Sequence, residues 1–293
     1  MNASFGIDHP LLATRDIGAL RNRLIALGFT MTAIGQHPWG TSTSLAMFDG
    51  CLLEIMGIYD DSLLDEVPAG AFRFGRHIHA YLQKREGVAL SALHSTDSVE
   101  DAARAAKAGF EVAGHLEFGR DVILPDGTAG RTKTTLALLP DPVFPRLSFF
   151  LCQQHRPEFI YVPAWLTHEN TATGIGGVTV LADTGDQAAL RVKLTGIYGE
   201  PAAINGGFAV PTANGPMRVQ DYAAVTAAFG NLPADMYDDG PCIVAMDILV
   251  KSTATMRDFL VQGGFAYCEV PSGYQLIDPT LTANTYLRFV QAG

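Results

Sequence analysis

All eight histidines of the chain, His9, His37, His77, His79, His94, His115, His155 and His168, lie at or before position 168. Imidazole is the group best suited to proton transfer near neutral pH and to binding transition metals, so chemistry of that kind belongs to the first part of the chain. Glu54 stands in CLLEIMGI with Leu52 and Met56 two residues to either side. On a strand, alternation puts these three side chains on one face, where a carboxylate among apolar groups needs a metal or a cationic partner. His77 and His79 have an H-x-H spacing that can chelate a metal on one strand face; the surrounding Arg73, Arg76 and Tyr81 fit an exposed connector better. Cys51, Cys152, Cys242 and Cys268 form no CxxC pair and no disulfide-like ladder, and each reads as a small core residue beside apolar neighbours. PDGTAG at 125–130 is turn chemistry, INGG at 204–207 lacks the Lys and following helix of a phosphate loop, and no G-x-S-x-G elbow occurs. Nucleotide binding and acyl transfer have no support.

The elements that must carry these residues repeat. GIDHPLLAT, at 6–14, reads as a strand, and Asp16 then precedes a helix with Ile17, Leu20, Leu24 and Leu27 on one face, stopped at Gly28-Phe29. Strand-like runs follow at 30–34, 41–48 and 51–58, so the unit is βαβββ. The order recurs from Gly87 with GVALSALH, the cap Asp97, an Ala-rich helix stopped at Gly109-Phe110, then FEVAGHLEF, TKTTLALL and LSFFLCQ. A third copy starts at Gly174 with GIGGVTVLA and a helix carrying Leu190, Leu194 and Ile197; an extra helix over 222–229 blurs its remaining strands. The fourth has CIVAMDILV, a helix with Met256, Phe259 and Leu260 inward, the stop Gly263-Gly264-Phe265, and FAYCEV, YQLID and TYLRFV. The turns ALGF, KAGF and QGGF each follow a helix directly, which chance alternation of strands and helices does not produce. The expected fold is α+β: four tandem βαβββ modules in two domains, 1–165 and 166–293, divided within Pro163 to Thr173.

With 48% hydrophobic and 17% charged residues, 30 Gly and 16 Pro, the composition suits a strand-rich globular chain with many turns. The net charge of −10, with Lys and Arg scattered singly, leaves no footprint for nucleic acid. No apolar run reaches membrane-spanning length and the N-terminus lacks the layout of a signal peptide. A soluble, cytoplasmic protein with neither nucleic acid nor membrane as partner is expected.

GIDHPLLATRD, HPWGTSTSLAMFDGCLLEIMG and FFLCQQHRPE together resemble the glyoxalase-like branch of the vicinal-oxygen-chelate superfamily, which includes glyoxalases, bleomycin-resistance proteins and extradiol dioxygenases. The resemblance covers the first two modules by motif and the last two by pattern. It implies paired modules curled into half-barrels around a site, with a His on the first strand and a Glu on the last strand of one module holding a divalent metal. His9 and Glu54 occupy those positions, and Fe, Mn, Zn or Ni would suit them. Such a metal chelates two adjacent substrate oxygens and then stabilises an enediolate or activates dioxygen. Three departures stand out. Aligning Asp97 with Asp16 puts Leu90 where a second-module His would stand, and Cys152 or Gln153 where its Glu would stand. The extradiol arrangement, with two His and one Glu from the second half of the chain, cannot be built. In module four Arg288 replaces Glu54, suited to a carboxylate partner or an anionic ligand.

The same resemblance puts His37 in an H-x-x-G-T turn as a catalytic acid/base, a substrate contact or a third ligand. Trp39, Thr41, His94, Gln153 and His155 are expected around the substrate; His94 or His155 would alternatively complete a shifted metal site or be structural or exposed. Two readings stay open. One is a small-molecule enzyme of glyoxalase or dioxygenase-like type, divalent-metal-dependent, acting as an isomerase, lyase or oxygenase on a substrate still to be identified. The other is a metal-free protein of the same fold that sequesters a small apolar or aromatic compound, which the missing second-module ligands favour; Trp39, Phe48, Phe149 and Phe150 offer area for it. A separate possibility is that modules three and four mainly complete an assembly interface, leaving the first pair to work, and a homodimer or larger homo-oligomer would form through sheet edges.

Overall fold

The computed structural model describes residues 5–236 and 239–293. The first module runs β1 (Ile7–Ala13), α1 (Ile17–Ala26), β2 (Gly35–Gln36), β3 (Thr41–Phe48) and β4 (Cys51–Ile58). Helix α2 (Phe74–Lys84) leads to the second: β5 (Gly87–Ser95), α3 (Ser98–Lys107), β6 (Gly114–Phe118), an inserted hairpin of β7 (Asp121–Ile123) and β8 (Ala129–Arg131), then β9 (Thr134–Leu139) and β10 (Phe149–Gln154). The third is β11 (Ala172–Leu181), α4 (Thr184–Tyr198), β12 (Ala202–Ile204), β13 (Gly207–Pro211) and β14 (Pro216–Gln220). Helix α5 (Tyr222–Phe229) connects it to β15 (Cys242–Val250), α6 (Thr253–Gln262), β16 (Tyr267–Val270), β17 (Gly273–Leu276) and β18 (Tyr286–Gln291).

Strand order is β2-β3-β4-β1-β5-β10-β9-β6 in one sheet and β12-β13-β14-β11-β15-β18-β17-β16 in the other. In each module the first strand pairs in parallel with the last, which demands a crossover, and here the helix lies in it. The first strands of paired modules run antiparallel at the centre of each sheet. Each sheet therefore curls into a half-barrel, and the protein is α+β with four tandem βαβββ modules.

The recurring Gly-Phe turn has one physical basis. In α1, α3 and α6 the glycine after the cap has positive φ, at Gly28, Gly109 and Gly264. Its N–H bonds the carbonyl of Ile25, Ala106 or Val261, and the following Phe29, Phe110 or Phe265 bonds back to Leu24, Ala105 or Leu260. This paired pattern closes a helix at a left-handed residue and satisfies its last carbonyls. At the other ends, Asp16, Asp97 and Ser252 side chains accept from the first-turn N–H groups.

Some local expectations change. Of the run at 30–34, none is strand, although the Thr32 N–H bonds the Leu45 carbonyl at 2.9 Å; the strand itself is Gly35–Gln36. The helix over 222–229 follows β14, so the third module keeps all three of its own strands. The H-x-H pair lies on α2, a packed helix, where residues two apart point in different directions. His77 Nε2 bonds the Ala89 carbonyl at 2.9 Å while His79 faces Gln83, so the pair does not chelate. Cys51, Cys152 and Cys242 are buried, but Cys268 is exposed on an edge strand.

One continuous apolar core runs through both halves. The connection between the sheets is tied into it: His168 accepts from the Thr30 N–H through Nδ1 and donates to the Met47 carbonyl through Nε2, and the Asn170 amide donates to the Leu27 carbonyl. The concave faces differ. Phe229, Leu232, Met236 and Tyr286 pack together in the second half-barrel, whereas the first holds a cavity of about 530 Å³. Among the described residues no helix is long and apolar enough to cross a membrane.

Candidate functional site

Strands β1 and β5 pair Ile7 with Leu93 and His9 with Ala92, which makes Asp8 an extra residue on β1. A bulge of this kind breaks strict alternation and re-aims side chains. Neighbouring Asp8 and His9 can therefore meet, with Nδ1 of His9 donating to Asp8 Oδ1 at 2.5 Å. The other imidazole nitrogen, Nε2, is 3.1 Å from Glu54 Oε2. Thr43, on the strand beside β4, donates to Glu54 Oε1 at 2.5 Å. Phe150 of β10 packs edge-on against the imidazole, with ring centroids 5.6 Å apart. Asp8, His9 and Glu54 are buried, at 0%, 4% and 6% exposure, so each charge depends on these partners rather than on water.

The electrostatics follow from that geometry. Burial lowers the basicity of His9, but the charges and hydrogen bonds of Asp8 and Glu54 outweigh it and hold the imidazole protonated well above its usual value. Burial likewise pushes Glu54 up, and the His9 hydrogen bond and charge reverse this, keeping its carboxyl below the usual range. The result is an imidazolium between two carboxylates. His37 behaves oppositely: burial, then the positive charge of Arg120, lower it to about 3, so it is neutral. Burial next to Asp8 and Glu54 keeps the Cys152 thiol protonated.

Leu52, Glu54 and Met56 share the cavity wall, with His9, Leu11, Trp39, Phe74 and Phe150 around them. Arg120 and Gln154 add polar groups, and Phe159, Ile160 and Trp165 from the connection close one side. Of the residues anticipated from sequence, His9, Glu54, His37 and Trp39 converge here. His37 stacks on Trp39, 4.8 Å between centroids, and its Nδ1 is 2.9 Å from Thr41 Oγ1. Thr41 thus orients His37 from outside the cavity lining. His94 also lies outside the lining, with its Nε2 3.4 Å from Asp8 Oδ2, an oxygen that makes no hydrogen bond among the described residues. Gln153 turns away to bond Ser98 N and Thr96 O beside α3, and His155 is an exposed partner of Thr135.

Sequence reasoning missed Asp8, Thr43, Arg120 and Gln154. Gln154 was within reach, since it shares parity with Phe150 and Cys152 on one strand. Asp8 was not, because alternation assigns it to the opposite face and only the bulge brings it in.

The metal implied by resemblance finds two donors, His9 and Glu54, and each is already engaged with the other. Register explains the shortage. By the helix caps, Leu90, Gly176 and Ala245 stand where His9 stands, and the residues matching Glu54 are Phe150, Met217 and Arg288. The second-module counterpart of Glu54 is therefore Phe150, not Cys152 or Gln153. Among the described residues no three His, Cys, Asp or Glu side chains are grouped to hold a metal ion, and two ligands fall short of the three that catalytic sites use. The donor set does not fit a resident metal. In module four, Arg288 pairs with Asp247 at 2.7 Å, and Arg218 holds the same carboxylate at 2.8 Å.

Comparison with known proteins agrees with the architecture. A family model described as a glyoxalase-like domain matches residues 7–195. None of the curated proteins compared matches the sequence. Among solved structures, a hypothetical protein from Staphylococcus aureus is similar at a TM-score of 0.67 and 13% identity, covering 98% of this chain and 99% of that one. A triple mutant of 4-hydroxymandelate synthase from Streptomyces coelicolor follows at 0.58 and 14%, covering 99% and 93%. A fusion of a xylose isomerase-like TIM barrel with 4-hydroxyphenylpyruvate dioxygenase scores 0.55 at 12%, covering 100% of this chain and 50% of that one. At such identities the likeness is one of fold.

Proposed function

Because the chain belongs to the glyoxalase-like domain family, we propose that its N-terminal half-barrel is the active site of a small-molecule enzyme of glyoxalase type, which moves a proton within an enolisable carbonyl compound. The observation that carries this reading is the buried Asp8–His9–Glu54 chain at the wall of an apolar cavity. At rest, His9 Nε2–H and Glu54 hold each other. A substrate carbonyl oxygen that takes over the Nε2–H frees Glu54 to accept a proton from the adjacent carbon, while His9 gives its own to the oxygen. As His9 becomes neutral, the charge that depresses Glu54 vanishes and its basicity rises in step. Asp8 keeps the imidazole aimed throughout. The resulting enol takes the proton back from Glu54 at carbon while its hydroxyl returns a proton to His9; in an enediol the neighbouring carbon can receive it instead, which is isomerase chemistry, and such acid–base help contributes on the order of a hundred- to ten-thousand-fold.

The test is deuterium wash-in to a panel of enolisable ketones and 2-oxo acids in heavy water, read by mass spectrometry. Exchange in the wild type that falls at least about a hundredfold in His9→Asn and in Glu54→Gln is expected; equal exchange in Glu54→Gln rules out the proton-transfer role. Elemental analysis is the companion measurement, since stoichiometric Fe, Mn, Zn or Ni lost in the double variant His9→Ala, Glu54→Gln replaces the proton pair with a metal centre. The apolar walls and short donor set favour a second reading, metal-free sequestration, for which the signature is saturable binding without exchange. Domains at 1–165 and 166–293, and association through the edge strands β2, β6, β12 and β16, belong to the same proposal.

A further inference from the structure

Arg120 is a charged group of the cavity that this chemistry leaves unused. Its backbone is pinned next to the β7–β8 hairpin: the N–H donates to Thr132 Oγ1 at 2.8 Å, and the carbonyl accepts from Thr132 N at 2.9 Å. The side chain is half-buried, lines the cavity, and has no ion pair or hydrogen bond among the described residues. The nearby carboxylates are committed elsewhere. Glu54 is held by Thr43 and His9, and Asp121 is paired with Arg131 at 2.7 Å. A second feature of the wall points the same way. A Cβ added at Gly35 would stand 2.9 Å from an Arg120 Nη1, although the backbone at Gly35 is not left-handed. The missing side chain at Gly35 thus makes room for the guanidinium rather than for an unusual turn. A half-buried guanidinium with no hydrogen-bonded partner gives up hydration that nothing replaces, and its planar fork matches a carboxylate in two parallel hydrogen bonds.

We propose that Arg120 is the anchor for the carboxylate of the ligand, and that the N-terminal cavity takes a small monocarboxylic acid with an apolar, ring-sized body. The body lies against Trp39, Phe74, Phe118, Phe150 and Trp165, which line the same space. The proposal rests on the preceding reading only in assigning the ligand to this cavity. It concerns recognition, so it is read by binding and stands apart from turnover.

Both tryptophans of the chain, Trp39 and Trp165, line the cavity, so their fluorescence reports occupancy. The probes are phenylbutyrate, its uncharged amide, and phenylpropylphosphonate, which share one apolar chain. The wild type is expected to bind the carboxylate about tenfold more tightly than the amide, the scale of a charge-assisted pair. Arg120→Gln removes the discrimination, Arg120→Lys restores part of it, and Gly35→Ala weakens it by displacing the fork. Equal affinity for acid and amide, absence of saturable binding for all three probes, or a preference that survives in Arg120→Gln overturns the proposal. Tighter binding of the phosphonate overturns the carboxylate assignment. Glu54→Gln is expected to keep the acid-over-amide preference even where it abolishes deuterium exchange, so failure of either reading is visible separately.

Discussion

At the scale of the residue, the His9–Glu54 pair makes a signed prediction about pH. His9 is raised in the folded state, so its contribution is complete below the unfolded imidazole value of 6.5 and fades as pH climbs toward the folded value. Glu54 is lowered, so its contribution is complete above 4.5 and fades as pH falls. Both are whole between 4.5 and 6.5. Removing one partner of a buried pair costs about 3–5 kcal/mol, so the loss of urea stability in Glu54→Gln should be largest in that window and shrink on either side. A loss constant from acid to alkaline pH means that the two side chains are not coupled. His37 has the opposite sign. Its folded value near 3 means that the native state resists protonation, so stability falls as pH drops from 6.5. His37→Gln should flatten that part of the acid unfolding profile, measured by circular dichroism.

At the scale of the element, the three equivalent helix stops provide an internal control. Gly109 and Gly264 have positive φ and open space where a methyl group would stand, so alanine there costs the left-handed backbone alone, about 1 kcal/mol. Gly28 has the same conformation, but a Cβ would lie 2.8 Å from the Asn170 Cβ and 3.0 Å from its backbone nitrogen. Gly28→Ala should therefore lower the thermal midpoint clearly more than Gly109→Ala, because it also pushes on the segment joining the two sheets. Equal losses mean that the segment yields freely. The bulge on β1 is the corresponding device at the site. Asp8→Asn should let His9 lose its proton at lower pH, visible in the ring proton shifts by NMR, and an unchanged titration rules out Asp8 as its charge partner.

At the scale of the whole molecule, the two half-barrels are alike in topology and unlike in content. The second surrounds Asp247 with Arg218 and Arg288 and fills its hollow with Phe229 and Tyr286. Asp247→Ala should cost about 3 kcal/mol of stability, as for a broken buried pair, while phenylbutyrate affinity in the first cavity stays unchanged. A parallel loss of affinity indicates coupling through the shared core. Much of this was legible in the sequence. Strand period, helix period and the Gly-Phe stop are local consequences of backbone sterics, so four βαβββ modules could be read from residues near one another along the chain. Glu54 beside Leu52 and Met56 was legible for the same reason, as strand parity alone decides which face it takes. What only the tertiary structure decided were contacts between residues far apart in the chain or freed from parity. The bulge that brings Asp8 to His9 depends on pairing with β5, and Arg120 reaches the cavity from the base of an inserted hairpin. The Phe150 ring at the position matching Glu54 follows from the register between β5 and β10. Register and long-range closure are set by the packing of whole sheets, and no short stretch of sequence contains them.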